Sequence, residues 1–89
     1  MYIIVYNTST ERQRIRLEEG LLRRLKLGAS IKEGVYLIPE NEGVDMRSIR
    51  VIIDELIING DSVYIQKLGR ERAYRGYPLR FRKWLEDKE

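Results

Sequence analysis

The residues best suited to chemistry stand directly after the first apolar segment. Residues 1–6 form a near-continuous apolar run, Asn7 ends it, and hydroxyl side chains fill positions 8–10. Arginines follow at once, among them Arg14 and Arg16. A buried strand that delivers a polar tip and arginines to one edge of a sheet can contact phosphate groups, because the guanidinium fork matches phosphate oxygens. The pattern therefore indicates a phosphate-handling site at the strand tip.

The helical phase separates Arg14 from its neighbours. At helical spacing Arg12, Arg16 and Arg23 share a face turned away from the leucines, where charges are solvated. Arg14 instead falls inside the apolar stripe, at the first turn. A buried guanidinium needs a partner, because an unpaired buried charge is costly. Two roles stay open: a structural contact with backbone carbonyls or with Glu11, and a phosphate contact beside Asn7.

Composition limits the possible chemistry. The chain has 89 residues and a formal charge of +3, with no cysteine and no histidine. The length fits one domain. Disulfides, cysteine nucleophiles and a histidine base are excluded, so catalysis would need carboxylates, hydroxyls, arginines, lysines or a carboxylate-bound metal. No apolar run approaches the roughly 20 residues that span a membrane, and the amino terminus lacks a signal-peptide pattern. We expect a cytoplasmic protein without membrane contact.

The first 68 residues predict alternating strands and helices. The first strand, residues 1–6, reads as a central strand buried on both faces. Thr8 and Glu11 fit a capping box, which places a helix start near Ser9. The helix should end before Gly28. Its predicted apolar stripe contains Ile15, Leu17, Leu21, Leu22 and Leu25.

The second half of this region repeats the alternation. Residues 29–38 are extended, and Gly34 should divide them into two strands. Asp45 is a plausible cap for a second helix, which Asn59 and Gly60 close, and residues 62–68 form a last strand. The order β-α-β-β-α-β predicts an α+β, ferredoxin-like sandwich for residues 1–68. The carboxylates lack metal-ligand spacing, and Asp61 reads as structural or solvated.

Residues 69–89 form an extra basic carboxy-terminal segment with interleaved aromatic side chains. Between positions 69 and 84 there are six basic side chains and one acidic side chain. Arginine can contact phosphates and aromatic rings can stack on bases, although the rings could equally pack on the domain or on a partner subunit. After Pro78 the segment reads as a short strand or a short helix. The candidate nucleic-acid contacts here are Arg70, Arg72, Arg75, Arg80 and Arg82.

These residues resemble a known family. Val5-Tyr6-Asn7-Thr8-Ser9, Arg14-x-Arg16, Lys32-Glu33-Gly34-Val35-Tyr36 and Asp61-Ser62-Val63-Tyr64-Ile65 follow the order and spacing of the second CRISPR-associated core protein family, here termed Cas two-like. The resemblance covers about residues 1–68. The stretch from Leu27 to Pro39 is also similar to the Cas two-like domain of chromate-resistance regulators, which is not a nuclease.

The resemblance implies a homodimer in which the tail crosses to the partner's sheet. It implies binding of RNA or DNA, a possible partnership with the CRISPR integrase, and in some members Mg²⁺-dependent endoribonuclease or endonuclease cleavage. The implied catalytic set is Tyr6, Asn7, Arg14, Arg16 and Tyr36, with Asn7 at the metal position.

The chain departs from the family at that position. The family's metal ligand is an aspartate, and Asn7 brings an amide oxygen without charge, which attracts Mg²⁺ far less than a carboxylate. Lys32 and Gly34 replace the family's Gln and Ser. The sequence therefore favours a Cas two-like dimer that binds nucleic acid with little or no cleavage. The other hypothesis is a non-catalytic dimerising or regulatory module.

Overall fold

A computed structural model describes residues 1–40, 43–69, 83, 86 and 87. The elements within them are β1 (Tyr2–Asn7), α1 (Glu11–Arg24), β2 (Ala29–Lys32), β3 (Val35–Ile38), α2 (Met46–Leu56) and β4 (Ser62–Lys67). The sheet has the strand order β2-β3-β1-β4, and every pairing is antiparallel. This arrangement is the predicted ferredoxin-like α+β fold.

Strand β1 is central, but the prediction that both of its faces are buried was wrong. Tyr2, Ile4 and Tyr6 are buried in the core cluster, whereas Val5 is 41% exposed. Alternate residues of a strand point to opposite faces. The helices pack on the face that carries Tyr6, so Val5 and Asn7 lie on the opposite face.

Helix α1 begins two residues later than predicted. The capping box on Thr8 and Glu11 was wrong, since Thr10 is the N-cap and its hydroxyl accepts from the Gln13 N–H at 3.1 Å. Ser9 precedes the cap, and its N–H donates to the Asp61 carboxylate at 2.9 Å. The same carboxylate accepts from the Gln13 amide at 2.9 Å, so a residue distant in sequence holds Ser9 and the first turn of the helix in place.

The buried stripe of α1 is narrower than the sequence pattern suggests. Leu17 and Leu21 are fully buried, but Ile15 is 44% and Leu22 51% exposed, so placing these two in the core was wrong. A side chain at Gly20 would meet Leu56 of α2. The small residue lets the two helices approach, and this contact turns Ile15 and Leu22 toward solvent.

The turn between β2 and β3 and the start of α2 follow the prediction. Gly34 adopts a φ of +87°, which L side chains rarely adopt, and it separates the two strands. Asp45 caps α2 through the Ser48 N–H, and the Ser48 hydroxyl accepts from the Asp45 N–H. Ile49 and Ile53 then bury the apolar face of α2 against the sheet.

Most of the basic tail lies outside the described residues. Of positions 70–89 the structure describes Lys83, Glu86 and Asp87, which are exposed and helical. The tail arginines, and the predicted exchange of the tail between subunits, therefore stay predictions. Among the described residues, no helix has the length and hydropathy that crossing a bilayer requires.

Candidate functional site

Three segments meet at the predicted strand tip. The end of β1, the first turn of α1 and the turn between β2 and β3 enclose an open cleft of about 690 Å³. Residues 6–11, Arg14, Glu33 and Gly34 line it. The Tyr6 N–H donates to the Gly34 carbonyl at 2.9 Å, which fixes the turn against the strand. The predicted grouping of Tyr6, Asn7 and Arg14 in one cleft is therefore present.

Three carboxylates surround the Arg14 guanidinium. Nη1 donates to Glu18 Oε1 at 2.7 Å, Nη2 lies 3.5 Å from Glu11 Oε1, and Nε lies 3.2 Å from Glu33 Oε1. The contact with Glu33 is an ion pair only, because the buried Nε donates no hydrogen bond to any described residue. The structural role left open for Arg14 is thus present, with two more partners than Glu11.

The three ion pairs differ in burial. The side chains of Arg14 and Glu18 are 21% and 17% exposed, whereas Glu11 is 80% and Glu33 74% exposed. Desolvation acts to lower the pKa of Arg14, but Glu33, Glu18 and Glu11 outweigh it and the pKa is raised. Arg14 and its three carboxylate partners together have a formal charge of −2. That sign repels phosphate and opposes a simple phosphate-binding interpretation.

Tyr6 holds Glu18 in place. Its hydroxyl donates to Glu18 Oε2, while Arg14 uses Oε1 of the same carboxylate. Burial, followed by the hydrogen bond and the negative charge of Glu18, raises the pKa of Tyr6 well above its usual range. Tyr6 therefore stays protonated at neutral pH, and it orients the carboxylate that positions Arg14.

A second network, on the other side of α1, fixes the start of the helix. Asp61 accepts hydrogen bonds from the N–H groups of Ser9 and Ile58 and from the Gln13 amide, at 2.9–3.0 Å. Gln13 is 4% exposed and also donates to the Leu56 carbonyl. Burial acts to raise the pKa of Asp61, but these donors outweigh it and hold the pKa below its usual value. Asp61 is structural, which is one of the two roles that the sequence left open.

Two members of the predicted catalytic set lie outside the cleft. Tyr36 is fully buried against Gly28, and its hydroxyl donates to the Leu25 carbonyl at 2.8 Å. Burial raises the pKa of Tyr36 to about 12. Arg16 is exposed and lines a separate groove of about 260 Å³ between α1 and α2. The described geometry therefore gives Tyr36 a packing role and directs Arg16 to the outer surface.

Asn7, the predicted metal ligand, is exposed at the last position of β1, where it pairs in register with Ser62. The cleft's carboxylates are not free donors, because each contacts Arg14. Across the described residues, no group of three acidic, histidine or cysteine side chains could hold a metal ion. An amide oxygen beside ion-paired carboxylates does not fit the charged oxygen set that Mg²⁺ prefers.

The sequence did not reveal Glu18 and Glu33, the two carboxylates that pair with the Arg14 guanidinium in addition to Glu11. Glu18 could have been found, since Arg and Glu four residues apart on a helix are neighbours. Glu33 could not, because the turn between β2 and β3 brings it to the helix from 19 residues along the chain. Gln13 was also missed, although Thr10-x-x-Gln13 fits the capping pattern that had been assigned to Thr8.

No family model and no curated protein matches the chain. Among solved structures it is similar to the crystal structure of a hypothetical protein TT1823 from Thermus thermophilus. The TM-score is 0.64, the sequence identity is 20%, and the match covers 88% of this chain and 93% of the other. A likeness at this identity shows the fold alone.

Proposed function

We propose that this chain is a Cas two-like nucleic-acid-binding protein of the CRISPR system that acts in the cytoplasm as a homodimer and binds without cleaving. The ferredoxin-like fold and the order of the sequence motifs support the family. The distribution of arginines along α1 supports binding. The donor set of the strand-tip cleft argues against metal-dependent cleavage.

The availability of the α1 arginines carries the proposal. Arg12, Arg16 and Arg23 are exposed on α1, and no described residue forms an ion pair with them. Arg14, on the same helix, is surrounded by carboxylates. The outer face of α1 therefore offers three guanidinium groups along one line that have no ion-pair partner among the described residues, and such groups bind a nucleic-acid backbone by releasing its counterions. The tail arginines would add to this surface.

Binding through α1 is tested by salt titration on duplex DNA and, separately, on structured RNA. Removing two arginines with Arg12→Gln and Arg16→Gln should lower the steepness of the log–log salt dependence by about 2. The matched control, Arg47→Gln with Arg50→Gln, removes the same charge from exposed positions on α2. Equal slopes for both double variants would reject a contact on α1, and no binding of either nucleic acid at low salt would reject the function.

Cleavage is tested separately on the natural protein and on Asn7→Asp, each with Mg²⁺ or with EDTA. We expect no metal-dependent product from the natural protein, because the amide and the paired carboxylates offer Mg²⁺ a poor donor set. If Asn7→Asp cleaves and the natural protein does not, the cleft is a nuclease site that the amide at position 7 inactivates. Metal-dependent cleavage by the natural protein, absent from Arg14→Ala, would contradict the proposal and identify an endoribonuclease or endonuclease.

The face of the sheet opposite the helices supports the proposed homodimer. It also favours the second candidate function, a non-catalytic dimerising or regulatory module. Val5 and Tyr64 are cross-strand partners on β1 and β4, and they are 41% and 59% exposed. An apolar pair on the helix-free face suits contact with a second subunit. Sedimentation analysis of Val5→Lys tests it: a monomer that keeps its fold supports this interface, and an unchanged dimer rejects it.

A further inference from the structure

Two of the three ion pairs of Arg14, those with Glu33 and Glu11, have poor hydrogen-bond geometry. A guanidinium presents its Nε–H and one Nη2–H side by side, and this edge matches two oxygens of one phosphate or carboxylate. Here two different carboxylates share the edge. Glu33 approaches Nε without a hydrogen bond, and Glu11 lies 3.5 Å from Nη2. The buried Nε–H is therefore left without a good acceptor, which is unfavourable.

The opposite side of the guanidinium is firmly held. Nη1 and Glu18 form a short pair at 2.7 Å, and the Tyr6 hydroxyl holds the second oxygen of that carboxylate. This arrangement fixes the guanidinium plane at the cleft. An incoming group that engages the Nε–Nη2 edge would meet a preorganised fork, which lowers the entropy cost of binding.

Both competing carboxylates can leave without backbone movement. Glu33 is 74% and Glu11 80% exposed, so water can solvate each of them as soon as it rotates away. Exposed ion pairs of this kind contribute little to stability. The turn that carries Glu33 keeps its place through the Tyr6–Gly34 backbone hydrogen bond.

We propose that the Nε–Nη2 edge of Arg14 is a binding site for a single phosphate group, and that Glu33 and Glu11 are internal competitors that occupy it until phosphate arrives. The two carboxylates act as a gate. With both in place, Arg14 and its three carboxylates have a formal charge of −2, which weakens phosphate binding. When both are displaced, Arg14 can bind a phosphate bidentately, with the neutral Asn7 amide lining the same cleft. This inference goes beyond the proposed function and does not depend on nucleic-acid binding by α1.

The test follows the Arg14 Nε–H resonance by NMR during titration with inorganic phosphate and, in a second arm, with a dinucleotide carrying one phosphodiester. The natural protein should bind weakly. Glu33→Gln should tighten phosphate binding about tenfold, and Glu11→Gln with Glu33→Gln further, because each change removes one repelling charge and one competitor. A shift with phosphate alone would assign a free or terminal phosphate, and a shift with both would include nucleic-acid backbone; either supports the site.

Two control variants separate the gate from a general charge effect. Asp54→Asn removes one negative charge at an exposed position on α2 and should leave the affinity unchanged. Arg14→Lys in the Glu33→Gln background keeps the positive charge without the fork and should lose most of the gain. The proposal is overturned if Glu33→Gln binds phosphate no better than Asp54→Asn, or if the Arg14 resonance stays unmoved in the double variant. The salt titration on α1 involves neither carboxylate, so the two proposals fail independently.

Discussion

Arg14 and Glu18 face the strand tip from one side of α1, while Arg16 and Glu19 stand on its outer face. The residue types are the same, and each outer residue lies one or two positions from its inner counterpart. Arg14 and Glu18 form a short, largely buried pair, whereas Arg16 and Glu19 are exposed and line a groove. Position around the helix, and not residue type, decides whether a charge is structural or available to a partner.

The largest expected effect on the free energy of unfolding comes from replacing Glu18 by alanine, compared with the same change at Glu19. Glu18→Ala leaves the Tyr6 hydroxyl and one Arg14 N–H group without their acceptor in a largely buried place, which should cost about 2–3 kcal/mol. Glu19→Ala should change the free energy of unfolding by no more than about 0.5 kcal/mol. Thermal unfolding measures both, at about 4–8 °C per kcal/mol for a domain of this size. Equal effects would mean that the two faces do not differ.

The next largest effect concerns Asp61, which fixes how α1 starts beside the strand tip. Asp61→Ala removes the acceptor for three donors and should cost about 1–3 kcal/mol at neutral pH. Asp54→Ala, exposed on α2, is the matched control and should be nearly neutral.

The same carboxylate predicts how stability changes in acid. The pKa of Asp61 is below its ordinary 3.8 in the folded protein, so its contribution is complete above that value and is lost as the pH falls through the folded pKa. The pKa of Asp45 is lowered in the same way, first by the Ser48 N–H. Urea unfolding between about pH 5 and pH 2 should show a shallower loss of stability in Asp61→Asn than in the natural protein. An unchanged slope would contradict the Asp61 network.

A smaller effect comes from the hydroxyl that orients Glu18. Tyr6→Phe removes one hydrogen bond to a carboxylate and should cost about 1–2 kcal/mol. Because Tyr6 and Arg14 share Glu18, Tyr6→Phe combined with Glu18→Ala should cost less than the sum of the two single changes. Strict additivity would show that Tyr6 does not act through Glu18.

How far the sequence predicts this molecule depends on how local each interaction is. The six elements, the break at Gly34 and the Asp45 cap follow from periodicity, glycine chemistry and capping, all of which act within a few residues. The start of α1 was placed two residues too early because two capping patterns overlap, Thr8 with Glu11 and Thr10 with Gln13. The contacts that bury Gln13 come from Leu56 and Asp61, 43 and 48 positions away. In the site, the unusual phase of Arg14 was predicted, but not the Glu33 contact that changes its meaning, because that contact exists only after the sheet has formed.

The smallest expected effect on stability shows whether Glu33 and Glu11 are displaceable competitors at Arg14 or structural partners of it. If Glu33 and Glu11 only occupy the free edge of Arg14, Glu33→Gln and Glu11→Gln should each change the free energy of unfolding by no more than about 0.5 kcal/mol, as expected for exposed ion pairs. Adding about 0.5 M salt should remove even that difference, because salt screens exposed charges. Chemical denaturation in low and high salt measures both. If Glu33→Gln lowers the free energy of unfolding by more than about 1 kcal/mol and the loss persists in salt, Glu33 is a structural partner of Arg14, as Glu18 is. The same result for Glu11→Gln would make all three carboxylates around Arg14 structural, in contrast to the exposed charges on the outer face of α1.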